Sequence, residues 1–150
     1  MDDPLTRAIF MAQFAATWFM TGLIWFVQVV HYPLLAHTGR ERYVDYQRLH
    51  MSLTTWVVGP PMLVEAMTAL LMFRYRPTSV TTLELSIGLA LVAAIWLSTL
   101  LFQVRCHRDL CAGFEATCHG RLVATNWIRT AAWSLRGALT LWMAWGGLSA

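Results

Sequence analysis

The sequence predicts an all-α integral membrane protein, a single four-helix bundle running up-down-up-down through one bilayer. Three observations carry this expectation. Of the 150 residues, 57% are hydrophobic and only 13% charged, about half the charged share of a soluble domain. Four apolar runs, at about 8–30, 51–73, 85–104 and 122–148, each reach the roughly 20 residues a helix needs to cross the hydrocarbon core. The connections between them are short, which favours antiparallel neighbours. Lipid leaves no partner for unpaired backbone groups, so such runs are read as helices rather than open strands. One domain over residues 1–150 accounts for nearly the whole chain.

The first span carries Gln13 and Gln28, is too long for a cleavable signal peptide and lacks a small-residue cleavage site. It closes on His31-Tyr32-Pro33. In the first loop, about 33–50, Thr38-Gly39-Arg40-Glu41 matches a capping box, so the second helix is expected to start near Gly39. Gly59-Pro60-Pro61 interrupts the second span and should kink it. The loop at 74–82 ends in a second capping-box candidate, Thr81 with Glu84, opening the third helix. The loop at 105–121 holds Cys106, Cys111 and Cys118. An odd count without a repeat spacing is not a disulfide framework; one bridge or three free thiols are both compatible with it. There is no internal repeat.

All eleven basic residues are Arg, and the formal charge of +3 is dispersed, so no nucleic-acid partner is expected. Arg40, Arg42, Arg48, Arg105, Arg108 and Arg121 lie on the side of loops 1 and 3, against Arg7, Arg74 and Arg76 on the other. The positive-inside rule then places loops 1 and 3 in the cytoplasm of a bacterial inner membrane.

Within each span the polar residues fall on one face. Gln13, Thr17, Thr21, Gln28 and His31 share a stripe of about 80° on the first helix. Tyr46, His50, Thr54, Pro61, Glu65 and Thr68 share one of about 100° on the second, as do His119, Asn126, Arg129, Trp133, Arg136 and Thr140 on the fourth. Thr99, Gln103, Cys106 and His107 share a broader face of the third. Such stripes face the bundle interior, as packing contacts or as a site. At about 1.5 Å per residue, Glu65 and Arg136 both lie roughly 21 Å from the loop-1 side. They are expected to form a structural ion pair between the second and fourth helices. Arg129 lies roughly 10 Å deep, level with the Trp56 and Val57 carbonyls freed by the two prolines. It is expected to donate to them, or to an anionic ligand beside them, unless it merely fills the proline notch.

Four of the five histidines, His31, His50, His107 and His119, end or open the spans at one membrane face. Bundles build haem and metal sites from facing helices in this way. Tyr46, Asp45, Asp109, Glu115 and the cysteines add ligand types nearby. Three readings stand side by side: a haem or transition metal held by these histidines, a metal-free polar pocket using one or two as acid–base groups, or ordinary interfacial residues. No standard zinc spacing supports the first. Trp127, Trp142 and Trp145 look like interface anchors. Trp25, Trp56, Trp96 and Trp133 lie deeper, as packing residues or as walls for a flat ligand.

His31-Tyr32-Pro33-Leu34 closing the first span, with Asn126-Trp127-Ile128-Arg129-Thr130 in the fourth, resembles the anthrone oxygenase-like family of small four-span membrane proteins. The resemblance rests on about ten residues and the span layout; Gly59-Pro60-Pro61 and the additional histidines lie outside it. It implies an intramembrane oxidation of a polycyclic aromatic, with Asn126 and Arg129 near the substrate oxygen. The expected function is therefore a membrane-embedded oxidoreductase or oxygenase-like protein binding a hydrophobic aromatic or quinoid ligand. Arg129, Asn126 and His50 would be catalytic, and His31, His50, His107 and His119 would bind any haem or metal. The competing readings are a non-enzymatic subunit or assembly factor of a larger membrane complex, and a small proton- or ion-coupled transporter using Glu65 and Arg136. Its partners would be the bilayer, a hydrophobic small molecule, and its own copies or other subunits.

Overall fold

The computed structural model describes residues 3–148, and every regular element among them is helical. α1 (Pro4–Phe26) continues through a π-helical turn (Val27–His31) into the short α2 (Tyr32–Leu35). α3 is Tyr43–Leu71. α4 (Thr82–Ser98) continues through a second π-helical turn (Thr99–Gln103) into α5 (Val104–Leu110), and α6 is Ala116–Leu148. The result is four long rods. Two of them, Pro4–Leu35 and Thr82–Leu110, are long and apolar enough to cross a membrane.

Local chemistry sets most of the ends. Asp3 caps α1 by accepting from the Thr6 amide at 2.9 Å, with Pro4 in the first turn. At α4 the expected capping box is complete. The Thr81 amide donates to Glu84 Oε2 at 2.7 Å, and the Glu84 amide donates to Thr81 Oγ1 at 3.3 Å. The box expected at Thr38 to Glu41 does not form: α3 starts at Tyr43, and Arg42 caps it without a side-chain bond. Residues 38–42 offer no apolar group to dock. The first residue that does is Tyr43, 1% exposed and edge-on to Phe114 at 5.2 Å. α6 begins six residues before the apolar run does, because Glu115 accepts from the Thr117 and Cys118 amides at 2.8 and 2.6 Å. Those two donors hold its carboxyl below the ordinary range.

The rods pack with rising residue numbers on one opposite falling numbers on the next. Between α1 and α3, Thr17 Oγ1 donates to Glu65 Oε1 at 2.7 Å and Thr68 Oγ1 donates to Gln13 Oε1. Between α1 and α6, Thr21 Oγ1 donates to the Trp133 carbonyl at 3.1 Å and Asn126 Nδ2 to Gln28 Oε1 at 2.7 Å. Between α4 and α6, Trp142 Nε1 donates to Glu84 Oε1 at 2.9 Å and Arg136 Nη1 to the Gly88 carbonyl at 2.5 Å. Small residues permit these approaches: a Cβ on Gly88 would lie 3.2 Å from Arg136 Nη1, and one on Gly137 3.3 Å from Thr21 Oγ1. α3 meets α4 far less extensively than either meets its other neighbour.

Polar and charged side chains are gathered inside among three apolar clusters, and the exterior is apolar. Gln13, Thr17, Gln28, Glu65, Gln103, Asn126, Arg129 and Arg136 are buried. Trp56, Trp142 and Trp145 are 78%, 67% and 68% exposed, and large aliphatic residues cover the outside of every rod. Buried charged groups and continuous exposed apolar surface are the two informative departures from an ordinary water-soluble domain.

At mid-depth, Glu65 and Arg136 meet as depth predicts. Arg136 Nε donates to Glu65 Oε1 at 2.6 Å, with both side chains 2% exposed. Trp133 Nε1 donates to Glu65 Oε2 at 3.0 Å, so each carboxylate oxygen is engaged.

Candidate functional site

Between this ion pair and the ends of α2 and α5, four rods enclose a cavity of about 350 Å³: α1, α3, the α4 to α5 rod and α6. That is within the size range of small-molecule sites. Met20, Leu23, Ile24, Val58, Met62 and Trp96 make its apolar floor. Tyr32, His50, Gln103, His107 and Arg129 make its polar end. It reaches the outside along the loosely packed seam between α3 and α4, where exposed Thr55, Leu63 and Leu100 line it.

Both π-helical turns serve this end. One delivers His31 and then Tyr32; the other ends at Gln103, one helical turn before His107. Each inserts an extra residue into its helix and rotates the residues beyond it, a device frequent at functional sites. The His31 and His50 rings stack with centroids 4.4 Å apart, and His107 lies 5.3 Å from His50. Tyr46 covers His50 with a parallel ring at 6.5 Å. His50 Nδ1 shares a hydrogen bond of 3.1 Å with Thr54 Oγ1.

Three of the four expected histidines therefore meet, and the fourth does not. His119 Nε2 faces the Tyr32 carbonyl at 2.9 Å, and its ring packs on Phe114 at 5.5 Å. The three that meet present ring faces to one another rather than nitrogens to a common point. Both nitrogens of His107 are already engaged, Nε2 with Tyr32 Oη at 3.0 Å and Nδ1 with Gln47 Nε2 at 2.9 Å. Among the described residues, no group of three or more His, Cys, Asp or Glu is placed to hold a metal ion. The expected four-histidine haem or metal site is thus not what this geometry builds. Nor do the other candidate ligands join the cluster. Asp45 is exposed, Asp109 faces Arg108 at 4.0 Å on the surface, and Glu115 caps α6. The three cysteines are free thiols, with Cys118 Sγ directed at the Cys106 carbonyl at 3.6 Å.

Arg129 is 7% exposed and lines the cavity. Its Nη1 donates to Asn126 Oδ1 at 3.3 Å, and its guanidinium lies over the Trp133 ring at 5.1 Å. Its Nε is buried without a partner. The sequence places it against the Trp56 and Val57 carbonyls or an anionic ligand beside them; its Nη1 bonds to Asn126, one turn back on its own helix, and its guanidinium also interacts with the Tyr32 hydroxyl. Asn126, expected to touch substrate, does not line the cavity, and both ends of its amide are used, on Gln28 and Arg129. It positions Arg129. His31 likewise stands behind His50 rather than in the cavity wall.

No residue lining the cavity is acidic. Its polar end therefore holds one buried cation with no counter-charge, a costly arrangement in a low dielectric. Comparison with protein-family models, with curated proteins and with solved structures finds no match to this chain.

Proposed function

We propose that the chain is an integral membrane, up-down-up-down four-helix bundle of the bacterial inner membrane, with loops 1 and 3 cytoplasmic. It acts as an oxidoreductase of the oxygenase-like kind on a hydrophobic aromatic or quinoid molecule. The apolar exterior, with ionisable side chains turned inward, supports four spans. α3 and α6 fall short of α1 and α4 in hydropathy because their inner stripes carry Glu65, Arg129 and Arg136. The single observation that carries the functional reading is Arg129: a buried, uncompensated guanidinium with an unpartnered Nε, at the polar end of a cavity whose floor is apolar and whose lining holds no carboxylate. Such a group awaits an anion, or an oxygen on which negative charge develops.

The ligand enters from lipid through the α3 to α4 seam and lays its rings against Trp96 and the aliphatic floor. Its oxygen meets Arg129, which Asn126 holds in place. His50 takes the ligand proton. For an anthrone, proton loss leaves an enolate stabilised by Arg129, and dioxygen completes the change: anthrone plus O2 gives anthraquinone plus water. Here the anthrone methylene is oxidised and dioxygen is reduced.

The test is oxygen uptake by the purified protein in nanodiscs with anthrone, for wild type, Arg129→Gln and His50→Phe. Uptake above the spontaneous rate, lost in both variants, is expected. Uptake equal in all three contradicts the enzymatic reading. A protein without such activity that purifies with other chains favours the subunit reading.

A further inference from the structure

The polar end of the cavity contains a phenol that the proposed oxidation leaves unused. Tyr32 is 2% exposed, lines the cavity and sits immediately after the first π-helical turn. Its hydroxyl meets Gln103 Oε1 at 3.2 Å and His107 Nε2 at 3.0 Å. The far side of the imidazole fixes the direction of the second bond. Gln47, fully buried, places Nε2 against both His107 Nδ1 at 2.9 Å and the His107 carbonyl at 3.3 Å. A carbonyl oxygen only accepts, so the atom facing it is the amide nitrogen, and that nitrogen also donates to Nδ1. In a neutral imidazole the other nitrogen then carries the hydrogen. His107 Nε2–H therefore donates to the Tyr32 oxygen, which leaves the Tyr32 hydrogen to point away from His107. It rests on Gln103 at a length beyond the usual O–H···O range.

We infer that Tyr32 is a ligand-contacting hydrogen-bond donor, which turns its hydroxyl from Gln103 to the ligand oxygen held by Arg129, and that Gln47 positions it by fixing the tautomer of His107. The inference rests on the reading that an oxygen-bearing aromatic occupies the cavity, and it narrows that class. A phenol that receives a hydrogen bond is polarised and becomes a stronger donor. The long resting bond to Gln103 is cheap to exchange for one to an anion. Arg129 and Tyr32 both line the same end of the cavity. Together they supply one charged and one neutral donor to a single oxygen, as an oxyanion site does. The favoured ligand thus carries an oxygen that accepts twice, an enolate, a phenolate or a quinone carbonyl, rather than a bare hydrocarbon. No proton changes hands at Tyr32. The same tautomer removes His107 as a base and leaves that role to His50.

The experiment is equilibrium binding to the detergent-solubilised protein of 2-hydroxy-1,4-naphthoquinone and of naphthalene, the same ring system without oxygen. Tyr32→Phe should weaken the quinone by about tenfold or more and leave naphthalene unchanged. Gln47→Leu should weaken the quinone in the same sense. Unchanged quinone affinity in Tyr32→Phe, or equal weakening of both probes, overturns the inference. If Tyr32→Phe does not fold, Gln47→Leu decides: unchanged quinone affinity there, or equal weakening of both probes, overturns the inference. Wild-type protein that binds neither probe overturns the occupied-cavity reading itself. Binding abolished by Arg129→Gln but intact in Tyr32→Phe overturns only the role of Tyr32.

Discussion

Replacing Glu65 by Gln removes one charge and almost no volume from the centre of the protein. The carboxylate accepts from Thr17, Arg136 and Trp133, all within 2.6–3.0 Å. Gln offers one acceptor oxygen and turns an NH2 towards the other donors, so at least one buried N–H or O–H loses its partner. Arg136, 2% exposed, keeps only the Gly88 carbonyl, and its Nη2 already lacks a partner. Stranding a buried charge costs about 3–5 kcal/mol. The lost hydrogen bond lies within that figure, since bonds between membrane helices average only about 0.6 kcal/mol. Against a total stability of about 5–15 kcal/mol this is a large fraction. The assay is reversible unfolding by SDS in mixed micelles, followed by near-ultraviolet circular dichroism of the tryptophans. Glu65→Gln should lose about 3–5 kcal/mol, Arg136→Met a similar amount, and the double variant clearly less than the sum. A loss below about 1 kcal/mol in the single variants, or strict additivity, would refute the claim that the pair organises the interior.

Gly88→Val should destabilise by about 1–3 kcal/mol by overpacking, because its Cβ meets a guanidinium clamped at both ends, 3.2 Å away. Gly22→Ala, where nothing lies within 4 Å, should be neutral or gain up to about 1 kcal/mol; thermal melting of both in detergent separates the two cases. Thr81→Ala should cost about 1 kcal/mol of α4 stability. Glu84 is held below the ordinary carboxylate range, chiefly by the Thr81 amide. Its contribution is thus present above that range and fades as pH falls through its lowered value; melting temperature against pH should show this slope in wild type and a smaller one in Glu84→Gln. Reporter fusions at the C-terminus should make alkaline phosphatase active and a cytoplasmic fluorescent protein dark, and the reverse pattern would invert the proposed orientation.

Much of the architecture was legible because apolar periodicity and backbone hydrogen bonding leave few choices. Runs of about 20 apolar residues forced the four rods, and the 3.6-residue period placed Gln13, Thr17, Glu65 and Arg136 inside. Rise per residue alone was enough to pair Glu65 with Arg136, since both lie in regular helix. It failed for Arg129 for a definite reason. Depth puts it level with the Trp56 and Val57 carbonyls, but its own helix offers Asn126 one turn away and Trp133 on the next. The histidine end was only half legible. Period and depth brought His31, His50 and His107 together, but the π-helical turns that rotate Tyr32 and His107 have no signature in residue type. His119 was misplaced because α6 begins below it, capped by Glu115, so its ring faces the Tyr32 backbone. Gln47 lies one turn before His50 and carries no signal of its own in the sequence; a tautomer-fixing role shows only once His107 is placed beside it.

The central claim is that Arg129 waits in the cavity for an anionic oxygen on an aromatic ligand. The most direct measurement is the stoichiometry and affinity of 2-hydroxy-1,4-naphthoquinone, read from its visible absorption, on wild type and Arg129→Gln. The account predicts saturable binding of one molecule per chain, weakened about tenfold or more in the variant, as for the loss of a charged hydrogen bond. Binding that does not saturate in the wild type, or that is equally tight in both proteins, would contradict it.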